Sequence, residues 1–324
     1  MAQPIKDPTD SAIIFNDNPK ITLVEETVVY DIKDENLYNV NVKVNYKLKN
    51  LEKSSKNIEV MFVAEALEYS NIQLKQNGKS IKPIKINNSS EFPKNWNTDI
   101  NENIIEPISG KALEKICSGF ENKPNIDFIK FPITFKENEE IHLEVLYVSK
   151  GGFYKRNFIN TIYVQQYYLT PAKFWNGEAK VRLLINFPKN KDFKLHSNIP
   201  MEQKNNMYIA ELSKIPDNEW VFSYVNKNNL LFNTNYRKAH NTYVLIISFM
   251  LVVLGIIIHK KINKYISLII YMLVLLFLIK YISLSYGFYF ILFILGRTII
   301  FPFILIMISI SLYKYFVRKN KGGL

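Results

Sequence analysis

Between residues 38 and 48 the chain reads YNVNVKVNYKL, so that Tyr38, Val40, Val42, Val44, Tyr46 and Leu48 alternate with Asn and Lys. Successive side chains of a strand point to opposite faces, and this pattern predicts a strand with one apolar and one wetted face. The same period returns at Ile58, Val60 and Phe62, at Ile141, Leu143, Val145 and Tyr147, and at Ala179, Val181, Leu183, Ile185 and Phe187. Half-buried strands of this kind predict antiparallel sheet. Within IQLKQNGKSIKPIKI, residues 72–86, Asn77-Gly78 accepts the positive φ angles of a type I′ turn and predicts a hairpin. Helical period is scarce before residue 240, SGKALEKIC at 109–117 being the best short candidate. Strands at roughly ten-residue spacing predict a mainly β fold, an antiparallel β-sandwich over 20–235 preceded by an extended segment at 1–19. The sandwich is either one large domain or two in tandem, with the break at 88–126, where Asn, Pro and Gly interrupt the strands.

From residue 236 the pattern becomes continuously apolar. Spans are predicted at about 242–259, 265–283 and 287–313, a three-helix transmembrane region with a basic tail. Residues 241–324 hold nine Lys or Arg and no Asp or Glu, whereas the first 240 hold 32 basic and 29 acidic residues. The formal charge of +12 therefore flanks apolar segments instead of coating a folded face, which argues against nucleic-acid binding. Three spans put Lys260, Lys261 and Lys264 on the same side as Lys314, Arg318, Lys319 and Lys321, against Arg237, Lys238 and Lys280 on the other. The positive-inside bias then places the C-terminus in the cytoplasm and residues 1–240 outside the cell membrane. The start MAQPIKDPTD lacks a basic segment followed by an apolar one, so this topology implies that a signal peptide has been removed. The competing topology is a cytoplasmic head with inverted charge bias.

Cys117 is the sole cysteine, which leaves neither an intramolecular disulfide nor a thiolate metal site to be built. An exported domain without disulfides fits a bacterial surface. The chain contains no HExxH, GxSxG, Walker A or dinucleotide-type glycine motif. His142, His196, His240 and His259 share no local metal-ligand spacing, and no catalytic, cofactor-binding or metal-binding residue is nominated. The acidic run KENEE at 136–140 reads as a solvated turn between strands.

Two constellations stand out. FYKRNFINTIYVQQYYLTPAKFWNG, residues 153–177, gathers Tyr154, Tyr163, Tyr167, Tyr168, Phe174 and Trp175. They form either an aromatic binding surface or, as the preferred reading, a core strand and structural corner closed by Trp175 and the Asn176-Gly177 turn. Trp220 reads as core by the same logic. In the third span, Arg297 lies between Gly296 and Pro302. A guanidinium inside an apolar helix is costly and either snorkels or meets another helix or subunit, while Pro302 kinks the segment. These three residues are the candidate helix-helix or subunit contact, and a partner retained in mild detergent and released by Arg297→Leu is the expected consequence.

The stretch YLTPAKFWNG at 168–177, followed by an alternating strand ending in Phe187-Pro188, resembles exported β-rich surface proteins of clostridia and related bacteria. That resemblance implies a β-rich head on a C-terminal hydrophobic anchor, placed outside the cell. The expected function is a non-enzymatic, membrane-anchored binding, sensing or assembly subunit of a bacterial envelope complex, packed with other membrane proteins or with itself. An accessory or pore-forming subunit of a transporter or channel, and a cell-envelope hydrolase, are the alternatives.

Overall fold

The computed structural model describes residues 2–5, 20–33, 36–65, 71–85, 103–113, 126–262 and 264–282. The chain is mainly β and divides into two compact units. One comprises residues 1–156 with 161–227, the other 157–160 with residues from 228 onward.

The first unit holds three sheets. The largest has the order β14 (Glu202–Lys204), β15 (Met207–Leu212), β12 (Lys180–Asn186), β2 (Ile21–Lys33), β3 (Asn36–Asn50), β9 (Glu140–Lys150), β5 (Gln73–Gln76), β6 (Lys79–Ile81). A four-stranded sheet runs β1 (Ala2–Ile5), β4 (Lys56–Glu65), β8 (Ile126–Phe135), β7 (Ile84–Lys85). A second runs β10 (Gly152–Tyr154), β11 (Ile162–Tyr167), β16 (Trp220–Asn226), β13 (Phe193–Ser197). The alternation read in the sequence is an alternation of burial in two strands: Val40, Val42, Val44, Tyr46 and Leu48 of β3 are inside, as are Ile141, Leu143, Val145 and Tyr147 of β9, whereas Tyr38 at the start of β3 is exposed and β4 is buried on both faces from Val60 to Ala64. Asn77 and Gly78 have φ of 50° and 80°, closing the β5–β6 hairpin in the left-handed region that Asn and Gly tolerate.

Two local expectations differ from the structure. The sheet is not wholly antiparallel, because β12 lies parallel to β2, pairing Lys180 with Glu25 through to Asn186 with Asp31. Period-two alternation reports which face a residue occupies but not strand direction. The entry to β12 sets that direction: Asn176 bridges Thr22, and Gly177, at φ +85°, passes so close to the Thr22 methyl that a Cβ would lie 2.7 Å from it. Residues 109–113 are turn and bridge instead of helix, since Glu106 accepts the amides of Ile108 and Ser109 and Ile105 bridges Ala112. Residues 114–117 lie outside the described residues.

Side chains from all three sheets form one contiguous core. Tyr30 of β2 meets Trp220 and Phe222 of β16 edge-on, at 5.4 and 5.0 Å between ring centroids. Phe62 of β4 meets Tyr147 of β9 at 5.3 Å. Such aromatic burial supplies much of the favourable folding term, about 1.5–3 kcal/mol for each large side chain removed from water.

The second unit contains α1 (Arg237–Lys261) and α2 (Lys264–Tyr281), both long and apolar enough to cross a membrane. They coincide with the first two predicted spans. Val244, Ser248 and Gly255 make a buried stripe on α1, and Gly255 sits so near α2 that a Cβ would stand 2.5 Å from the Tyr271 ring. Small residues at that contact let the two backbones approach. The predicted third span at 287–313, with Gly296, Arg297 and Pro302, lies outside the described residues.

Candidate functional site

The outward face of the large sheet carries an open groove of about 800 Å³. Its geometry follows from strand register. Asn186 of β12 stands beside Asp31 of β2, which stands beside Asn41 of β3, which faces Val148 of β9. Two residues along the strands, a second row runs Leu184, Val29, Lys43, Leu146 and Gln73. Adjacent members of a row are about 4.8 Å apart, the spacing of neighbouring strands. An amide–carboxylate–amide row thus lies alongside a largely apolar one. Lys43 is paired with Glu144, whose carboxylate also accepts Lys75 Nζ at 3.1 Å. Hydrogen bonding from Lys43 holds the Glu144 carboxyl below its ordinary range, so it stays ionised between the two ammonium groups.

Such a face can donate to and accept from hydroxyl or amide groups while the apolar row takes up a ligand's carbon framework. Among the described residues, no three His, Cys, Asp or Glu side chains gather into a metal-sized cluster. The expectation of polar outward faces did not mark this groove, although a signal exists. Val28-Val29, Leu183-Leu184 and the run Val145-Leu146-Tyr147-Val148 break alternation by placing apolar residues on both faces at neighbouring points of the sheet.

A second polar constellation lies inside the core. Glu26 of β2 is wholly buried, and its Oε1 accepts the Tyr167 hydroxyl at 2.7 Å. That hydroxyl lies 3.0 Å from the Tyr46 hydroxyl, while Glu26 Oε2 meets no hydrogen-bond partner among the described residues. Burial pushes the Glu26 carboxyl up to about 8, against the opposing pull of the Tyr167 bond. At neutral pH the group is therefore a carboxylic acid, with its proton retained. Burial likewise drives the Tyr147 and Tyr167 phenols well above their ordinary range. The cluster ties β2, β3 and β11 together but opens to no solvent. In the sequence Glu26 hid in LVEET, although it shares the phase of Val28, Tyr30 and Ile32.

The six aromatic candidates divide by burial. Tyr154, Tyr167, Tyr168 and Trp175 are buried, while Tyr163 and Phe174 are half-buried. Tyr163 stacks on Tyr224 at 5.6 Å. The segment after β11 forms a 3-10 turn at Thr170–Phe174, and Glu219 accepts the Leu169 and Thr170 amides and the Thr170 hydroxyl. That clamp seats Leu169, Ala172 and Trp175 in the core. His196 stands on β13.

The sequence matches no protein-family model, and no curated protein matches it. Among solved structures, a candidate nutrient binding protein of Legionella pneumophila is similar over 69% of each chain, at 12% identity and a TM-score of 0.44. Yeast LTA4 hydrolase is similar over 68% of this chain and 32% of its own, at 9% identity and 0.38. The M1 zinc metallopeptidase of Deinococcus radiodurans is similar over 63% and 42%, at 7% and 0.30. These scores carry neither fold assignment nor activity to this chain.

Proposed function

We propose that the protein is a non-enzymatic binding, sensing or assembly subunit of a bacterial envelope complex. A β-sandwich head, formed by the large sheet packed over the two smaller ones, stands outside the cell on a three-span anchor. The observation that carries this reading is the join of a β-rich unit to two helices whose apolar side chains, including Phe249, Met250 and Leu273, remain mostly exposed. Core helices of a soluble protein bury such side chains, whereas membrane spans leave them to lipid. The cationic HKKINK turn and C-terminal tail favour this orientation through the positive-inside bias. One span would suffice as a tether, so three favour packing with other membrane proteins or with a second copy.

The groove containing Asp31, Asn41 and Lys43 is the recognition face of this reading. A photo-crosslinking residue at Asn41, compared in intact cells with one at exposed Lys189 on the same unit, tests it. An envelope adduct formed from position 41 and absent from position 189 is the expected result. Adducts that do not distinguish the two positions would remove the groove from the proposal.

A further inference from the structure

The segment between β16 and α1 folds back along the start of the helix. Asn160 and Asn235 exchange bonds, the Asn160 amide donating to Asn235 Oδ1 at 2.8 Å and Asn235 Nδ2 donating to the Asn160 carbonyl at 3.1 Å. Asn160 Nδ2 also donates to the Asn228 carbonyl, and His240 Nε2 lies 3.2 Å from the Asn229 carbonyl. Arg237 Nη2 donates to the Phe158 carbonyl, and Phe158 packs on Tyr236 at 5.0 Å. Every one of these contacts lies within the second unit, so residues 228–236 are fixed against the first turn of α1.

At the tip of this segment the backbone enters the left-handed region, with φ of 51° at Phe232 and 50° at Asn233. Asn tolerates that conformation, but a bulky residue adopts it only where surrounding contacts impose it. The imposed conformation turns the Phe232 ring outward: it is 71% exposed and meets the Tyr243 ring edge-on at 5.2 Å. Tyr243, itself 40% exposed, heads a helix face continued by Ile246, Met250, Val253 and Ile257, all exposed. Residues three and four apart share a face. Phe232 therefore extends the apolar flank of α1 at its N-terminal end, beside the cations Arg237 and Lys238, where an aromatic belt meets the membrane boundary.

We propose that Phe232 is a lipid contact: with Tyr243 it forms an aromatic wedge that enters the headgroup boundary of the bilayer and fixes the depth of α1. The occupant is lipid instead of protein because the surface runs without interruption into the exposed face of a helix of membrane-spanning length. This inference rests on the reading of α1 as a membrane span, and its test separates the two.

The full chain carrying Cys117→Ser is labelled with an environment-sensitive fluorophore at a single new cysteine, Phe232→Cys, Met250→Cys or Lys189→Cys. It is then reconstituted in phosphatidylcholine–phosphatidylglycerol vesicles containing lipids spin-labelled near the headgroup or near the chain middle. The wedge predicts blue-shifted emission at position 232, quenched at least about twofold by the shallow label and less by the deep one. The reverse preference is expected at 250, and neither label should quench 189. Aqueous, unquenched emission at 232 with quenching intact at 250 overturns the wedge alone. Blue-shifted but unquenched emission at 232 also overturns it, by showing that protein covers the ring. Absence of quenching at 250 overturns the membrane span and the wedge together.

Discussion

Replacing Glu26 by Gln removes the titratable carboxyl buried at the Tyr46–Tyr167 junction and changes how stability depends on pH. Below about pH 4.5 the acid is protonated in folded and unfolded chains alike and contributes no pH dependence. Between about 4.5 and about 8 the unfolded chain releases the proton while the folded chain keeps it. The unfolded state then binds fewer protons, so stability falls as pH rises. The slope approaches 1.4 kcal/mol per pH unit inside the window, for a total on the order of 5 kcal/mol once pH passes about 8. Glu26→Gln keeps a carbonyl for the Tyr167 hydroxyl while abolishing this slope, at the cost of an unpaired amide donor worth roughly 1–3 kcal/mol at all pH values. Urea unfolding of the full chain in detergent, measured for both proteins from about pH 5 to about pH 8, tests the argument. The variant should be the less stable protein at the acid end and the more stable one at the alkaline end. Parallel stability curves across that interval would refute a buried, proton-retaining Glu26.

Further outcomes follow from close approaches and clamps. Gly151→Ala places a methyl group against the Val164 carbonyl and the Gln165 amide, and should lower thermal stability by about 1–3 kcal/mol through overpacking. Gly255→Ala drives a methyl into the Tyr271 ring and should weaken the α1–α2 contact by a similar amount, with Tyr271→Ala recovering part of the loss in a double-mutant cycle. Glu219→Ala releases the Leu169 and Thr170 amides and should cost roughly 1–3 kcal/mol, read as earlier unfolding and greater solvent exposure of Trp175.

Strands whose two faces differ were legible in the sequence. β3, β9 and β12 each place an uninterrupted set of alternate apolar residues in the core, and Asn77-Gly78 names its own turn. The parallel seam between β2 and β12 was not legible, because side-chain period is blind to direction and the two strands are about 150 residues apart. Short strands such as β10 and β14, of three residues each, span too little chain to show a period. The candidate groove escaped for a related reason: its members are distant in sequence and come together only through register. Glu26 was misleading by type, since a carboxyl in a Glu-Glu pair reads as solvated unless its phase with Val28 and Tyr30 is given more weight than its charge. The apolar helices were plain from composition, because α1 from Ala239 to His259 and α2 from Tyr265 to Ile279 carry no Asp, Glu, Lys or Arg and are predominantly aliphatic or aromatic.

In the proposed topology a β-rich head stands outside the membrane on helices whose cationic turn faces inward. Protease and an impermeant amine-reactive label applied to intact cells test it most directly. In this topology the head is digested and labelled while Lys260, Lys261 and Lys264 stay protected until the membrane is broken. Labelling of those three lysines in sealed cells, with the head intact, would contradict it.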